Sequence, residues 1–206
     1  MSLRRYVGYS VALGASLLAG CSSTTEPEPT RPEAADLRGA TNGLGPPQLM
    51  VPVAGVSPDD VSDGFRARRG GGRIHHAVDI PARRGTPVLS ADDGRVLRLH
   101  RNRRGGLTIY ATDASGHFIY YYAHLHAYRR GLVKGAPLVR GQVIGFVGTT
   151  GNARRCGPHL HFQVMVRRNE GRPWSGKAID PRPLFTQTGL ASEKTTALAF
   201  DAVQPG

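Results

Sequence analysis

Apolar and polar residues alternate with a period of two along much of the middle of the chain, and almost nowhere with a period of 3.6. The runs 87–91, 95–100, 107–112, 117–124, 143–147 and 159–166 carry this alternation. Successive side chains of a strand face opposite ways, so each run offers one face to a core and the other to solvent or a groove. Turn formers separate the runs: Asp92-Asp93-Gly94, Gly105-Gly106, Asp113-Ala114-Ser115-Gly116 and Lys134-Gly135. No amphipathic stretch is long enough for a helix. The pattern predicts a mostly β, largely antiparallel domain over residues 48–186.

The ends of the chain read differently. Arg4 and Arg5 precede an apolar run, Val7 to Leu18, which is the length of a signal-peptide core and too short to span a bilayer. It closes on Leu18-Ala19-Gly20-Cys21, which resembles the bacterial lipobox, where the signal is cleaved before the cysteine and the thiol is lipidated. The competing reading is a plain secretory signal with a chance cysteine. The charged start, the apolar core and the polar run that follows agree on the lipoprotein. Residues 1–20 are then the signal, and 21–47 are the lipidated Cys21 with a Pro/Glu/Ser/Thr-rich tether. Residues 187–206 form a loose tail. Ser22 stands where an Asp would resemble an inner-membrane retention signal. The expected location is the outer membrane, facing the periplasm, with the membrane reached through the lipid.

Composition now takes on a different meaning. The 206 residues suffice for one domain with tails. A hydrophobic share of 39% supports a core, and 27 Gly with 15 Pro fit many short elements joined by turns. Lys+Arg 27 against Asp+Glu 15 gives +12, a balance that first suggests nucleic acid. Export excludes that partner. The polyanions outside the cytoplasm are peptidoglycan carboxylates and lipid phosphates. With Cys21 lipidated, Cys156 has no partner for an intramolecular disulfide, so a core or a metal must hold the domain. A monomer is expected.

The candidate chemistry lies in histidines. In His159-Leu160-His161-Phe162-Gln163-Val164 the apolar set needs the core, so His159 and His161 face outward about 7 Å apart at their backbones. One could bind a metal while the other works on its water; a chance pair on an exposed strand is the alternative. In Arg73-Ile74-His75-His76-Ala77-Val78-Asp79-Ile80 the same alternation sets His75 and Asp79 on one face with the small Ala77 between them. Two His and one Asp with an open fourth position make a plausible catalytic zinc set. A surface histidine and a capping aspartate are the alternatives. His124 shares its predicted face with Phe118, Tyr120 and Tyr122, as a histidine packed among aromatics would. His124-Leu125-His126 is a second HxH pair, but His126 runs into a predicted turn.

His75-x-x-x-Asp79, Tyr122-Ala123-His124-Leu125 and His159-x-His161, in this order, resemble the signature of peptidase family M23, the lysostaphin- or LytM-type zinc metallopeptidases. The stretches 79–88 and 141–151 and the pair Asp180-Pro181 match as well, so the resemblance covers about 61–186. It implies a β-sheet domain with a central groove. It also implies zinc ligands His75, Asp79 and His161, and catalytic histidines His124 and His159. The implied activity is hydrolysis of peptide cross-links in peptidoglycan, in this setting at D-Ala–meso-diaminopimelate. The chain departs from the family at Ala77, usually Gly, and Gln163, usually Glu. Arg66, Arg68, Arg69 and Arg73 around Gly70-Gly71-Gly72, with Arg154 and Arg155 before the HxH strand, would flank the groove and could hold stem-peptide carboxylates, and Asn152 would line it too; a solvated basic surface is the alternative. Cys156 as a fourth zinc ligand would close the position catalysis needs. Two other functions compete: a LytM-type regulator of other wall hydrolases without catalysis, and an envelope-binding lipoprotein using its basic face. All five site positions are present, which argues against the regulator.

Overall fold

The computed structural model describes residues 45–168 and 172–186. The signal, Cys21, most of the tether and the 187–206 tail lie outside the described residues. Chain order runs β1 (Arg68–Arg69), β2 (Arg73–Ile74), β3 (Val78–Pro81), β4 (Pro87–Leu89), β5 (Gly94–Asn102) and β6 (Gly106–Asp113). It continues β7 (Phe118–Tyr128), β8 (Pro137–Leu138), β9 (Val143–Val147), β10 (His159–Arg167) and β11 (Gly176–Ile179). The only helical pieces among the described residues are three short 3₁₀ turns, one of them Gly151–Arg155 before β10.

Nine strands join one sheet whose main path is β11-β10-β7-β6-β5-β8, and every strand pairing in it is antiparallel. On its other side β10 pairs with β3 through its first half and with β11 through its second. That sharing sets Asp79 opposite His161, and Ala123 opposite His161 from the other side. The core lies under one face of the sheet, where Leu160, Phe162, Val164, Tyr120, Tyr122 and Ile109 are all but fully buried. Phe162 is its centre, with ring centroids 5.1 Å from Tyr122 and 6.0 Å from Phe185. The two ends of the domain close on each other: Leu49 N–H donates to Leu184 at 2.8 Å and Thr186 N–H to Leu49 at 2.9 Å.

Each predicted strand is present within a few residues of its expected bounds. Three expectations need correction, and two of them turn on a histidine in the left-handed region. The segment 73–80 is not one continuous strand. His76, at φ 56°, separates β2 from β3. His75 and Asp79 still meet, but through this kink and not through simple alternation. β7 continues to Tyr128, so His126 lies on a strand and not in a turn. Within β7, His124 sits at φ 64°. This reverses the side-chain direction, so Phe118, Tyr120 and Tyr122 enter the core while His124 turns to the opposite face. A non-glycine residue at positive φ costs roughly 1–3 kcal/mol and persists where its surroundings impose it. His126 is exposed and meets the Arg84 guanidinium at 3.1 Å, away from the other histidines.

Gly148, just after β9, fixes how closely β7 can approach. A Cβ there would stand 2.4 Å from the backbone nitrogen of His126 and 2.8 Å from the carbonyl of His124. The obstruction is backbone, which cannot swing aside. Gly148→Ala is therefore expected to destabilise the domain by about 2–3 kcal/mol and to displace His124. A denaturant midpoint lowered to that extent, with weakened activity, checks it; an unchanged midpoint contradicts it.

Candidate metal centre

On the face opposite the core the sheet carries a groove of about 780 Å³. Three side chains converge at its floor. His75 Nε2 lies 3.0 Å from His161 Nδ1 and 3.1 Å from Asp79 Oδ1, and His161 Nδ1 lies 3.0 Å from Asp79 Oδ1. Donors about 2.0–2.1 Å from a tetrahedral zinc ion stand roughly 3.3 Å from one another. The near-equilateral triangle has that scale. Two imidazoles and one carboxylate are a catalytic donor set with room for a fourth ligand. The residues fit a divalent metal on both counts.

Backbone carbonyls set the ring tautomers. His75 Nδ1 donates to Gly64 C=O at 2.9 Å, which leaves the Nε2 lone pair facing the triangle. His159 Nδ1 donates to Gly157 C=O and His124 Nδ1 to Thr150 C=O, both at 2.9 Å. Each of these two rings is left with a bare Nε2. The His124 and His159 rings meet edge to face at 4.9 Å, and His124 lies 5.6 Å from His161. His159 Nε2 is 3.8 Å from Asp79 Oδ1, longer than any side of the triangle. The structure thus divides the five residues into three whose donor atoms touch and two that stand beside them.

The charges are arranged to match. Burial alone would raise the Asp79 carboxyl, but hydrogen bonds from His161 and His75 and their charge when protonated outweigh it, holding the acid far below its usual range. Burial pushes His161 down as well, against the opposing pull of Asp79. His124 is pushed down to about 4, by burial first, with the Thr150 carbonyl partly opposing. It is a neutral base at pH 7. An unfolded histidine titrates near 6.5. Between about pH 6.5 and 4 the unfolded chain takes up a proton that folded His124 refuses. The stability this residue contributes is complete above that window and is lost as pH falls through it. The melting temperature of the metal-free protein is expected to drop between pH 7 and 5. The drop should be shallower in His124→Asn; equal slopes in the two proteins contradict the assignment.

Of the residues expected to flank the groove, Arg69, Arg73 and Asn152 line it. Arg66, Arg68 and Arg154 are exposed and are not among the lining residues, which corrects the expectation for all three. The 3₁₀ turn buries Ala153 and directs Arg154 outward. Arg104 and Arg172 line the groove instead. Arg69 does more than line it: its Nη2 donates to Asp79 Oδ2 at 2.5 Å and stands 3.0 Å from His75 Nε2. Tyr121, edge-on to His161 at 5.9 Å, was not singled out from sequence. Neither were the carbonyls of Gly64, Thr150 and Gly157, since a carbonyl's role leaves no side-chain signal. Gln163 donates its amide to the His76 carbonyl at 2.9 Å, a bond the family's usual glutamate could not make when ionised. Cys156 is exposed, carries a free thiol and lies at the groove wall.

The sequence model of Peptidase family M23 matches residues 73–181, more than half of the chain. The chain is 39% identical over 119 residues to the L-Ala–D-Glu endopeptidase of Bacillus subtilis, an alignment covering 55% of this chain and 35% of that protein. It is 36% identical over 134 residues to the DD-carboxypeptidase/endopeptidase Mpg of Neisseria meningitidis, covering 64% and 29%. It therefore spans about a third of the length of these curated relatives. Among solved structures, the catalytic domain of the antimicrobial peptidase lysostaphin from Staphylococcus simulans superposes with a TM-score of 0.51 at 32% identity, covering 60% of this chain and 89% of that one.

Proposed function

The chain belongs to peptidase family M23, and on that premise we propose that it is a zinc-dependent endopeptidase that cuts peptide cross-links of peptidoglycan. The observation that carries the reading is the triangle of His75 Nε2, Asp79 Oδ1 and His161 Nδ1 with two further imidazoles beside it. The relatives' names support the substrate class: one is an L-Ala–D-Glu endopeptidase and another a DD-carboxypeptidase/endopeptidase. The bond we assign is D-Ala–meso-diaminopimelate. An outer-membrane lipoprotein, anchored through Cys21 and facing the periplasm, would meet direct cross-links of that kind. The partners are peptidoglycan and, through the lipid, the membrane; the protein acts as a monomer.

The mechanism follows from which atoms are free. A zinc ion held by His75, Asp79 and His161 would supply Lewis-acid polarisation of the scissile carbonyl and an acidified water. His159 and His124 offer Nε2 lone pairs within one ring's reach of the triangle, and their tautomers are fixed by Gly157 and Thr150. They accept the proton of the attacking water and return it to the leaving amine. Arg69 pairs with the outer oxygen of Asp79, which keeps that carboxylate turned to present Oδ1. The arginines along the groove supply positive charge where stem-peptide carboxylates would lie.

The test uses residues 22–206 purified without lipid. Bound zinc is measured, and sacculus digests are analysed by mass spectrometry. One zinc per chain with cross-linked dimers converted to monomers is expected. Zinc without cleavage would point to autoinhibition or a missing activator, and neither zinc nor cleavage would overturn the enzyme in favour of the regulator of other hydrolases.

A further inference from the structure

We infer that the far end of the groove, built on Trp174, is a saccharide subsite that holds a sugar ring of the glycan strand while the attached peptide lies across the metal centre. This rests on the peptidoglycan reading above.

Trp174 belongs to the segment Arg172–Ser175 that immediately precedes β11. That strand is the neighbour of β10 on the side away from β7. Yet its ring is covered by the guanidinium of Arg98, 4.4 Å from the ring centroid, and Arg98 lies on β5. The segment therefore reaches across the groove face, over β7 and β6. Arg98 is itself braced, with Nη2 3.1 Å from His100 Nδ1. A turn fixes the other side, with the backbone and hydroxyl of Ser175 both donating to Arg172 C=O at 2.9 Å. The indole is held between two supports and lines the groove.

Below it the floor is a row across four strands. Gln163 pairs with Tyr121, Tyr121 with Tyr110, and Tyr110 with Arg98. The Tyr110 and Tyr121 rings pack at 4.6 Å. Burial raises both phenols, so both remain neutral hydroxyls. The Tyr121 and Tyr110 strands, β7 and β6, are paired on both sides, so a peptide cannot bind over this floor by adding a strand. Recognition falls to side chains: one flat aromatic face, the thioether of Met165, and a rim of the Tyr110 hydroxyl, Ser175 and Arg172. A pyranose ring matches that set. Its axial C–H bonds form a flat apolar face, and its edge carries hydroxyl and acetamide groups.

Distance agrees with this occupant. Met165, at the foot of the subsite, stands four residues along β10 from His161, about 13 Å of strand. In peptidoglycan, four residues separate a D-alanyl cross-link from the sugar, about 13–14 Å when extended.

Trp174 is the only tryptophan of the chain, so its emission reports this subsite directly. Titration with N-acetylglucosamine oligomers is expected to give a saturable change in emission, in the wild type and equally in the zinc-free His161→Ala protein. On cross-linked muropeptide dimers that carry their disaccharides, Trp174→Ala should lose about 10-fold in kcat/KM, with Trp174→Tyr recovering most of it. On the same dimers with the sugars removed by an amidase, Trp174→Ala should equal wild type. A flat titration, or equal loss on the two substrates, overturns the subsite. If the wild type cleaves neither dimer, the proposed function fails, while the emission titration still decides the subsite.

Discussion

His161→Ala is expected to abolish stoichiometric zinc binding and to lower turnover on cross-linked peptides at least about 1000-fold, about 4 kcal/mol of transition-state stabilisation. His161 Nδ1 is one corner of a triangle whose sides are 3.0–3.1 Å, and no other nitrogen among the described residues can take its place. The nearest candidate, His159 Nε2, lies 3.8 Å from Asp79 Oδ1 and is held by its bond to Gly157. The two remaining donors, His75 and Asp79, would form an incomplete site with Arg69 competing for the carboxylate. The fold should survive, because the core-facing neighbours Leu160 and Phe162 are untouched. Zinc content and circular dichroism of the same preparation check both halves. A variant that is folded and still binds one zinc would remove His161 from the ligand set.

The strands were legible because the core enforces alternation. Leu160, Phe162 and Val164 must be inward, so His159, His161 and Gln163 could only be outward, and the sheet places them so. Alternation failed at two positions, His76 and His124, and at the second a functional side chain departs from the direction its strand would give it. At His124 the failure mattered: strict alternation would seal the imidazole among Phe118, Tyr120 and Tyr122, and only the positive φ turns it to the groove. Nothing local announces that angle. It depends on long-range contacts, the Gly105 carbonyl that takes the His124 N–H at 2.7 Å and the Thr150 carbonyl that takes its ring. The motif located the residue; only tertiary pairing gives its direction. The groove walls were less legible for the same reason. Arg73 and Arg154 look alike in sequence, and a single 3₁₀ turn directs one of them away. Arg104, Arg172 and Trp174 come from connections whose paths no periodicity encodes.

The second large effect separates binding from chemistry. His159→Ala is expected to retain one zinc per chain and to lose about 10²–10⁴ in kcat, the range by which a positioned acid–base group accelerates proton transfer. The 3.8 Å separation from Asp79 Oδ1 keeps His159 out of the ligand triangle, and its Nε2 accepts from no donor among the described residues. It shares the task with His124, whose ring meets it edge to face at 4.9 Å, so the two losses should not add. If one ring activates water and the other serves the leaving amine in the same transition state, His124→Ala alone and the double variant should fall to similar rates. KM should change little in any of the three, since both rings are assigned to the transferring proton and neither to a stem-peptide carboxylate. Near-normal turnover of His159→Ala on intact sacculi would remove it from the mechanism. Loss of zinc in the same variant would instead move His159 into the ligand set and leave His124 as the sole base.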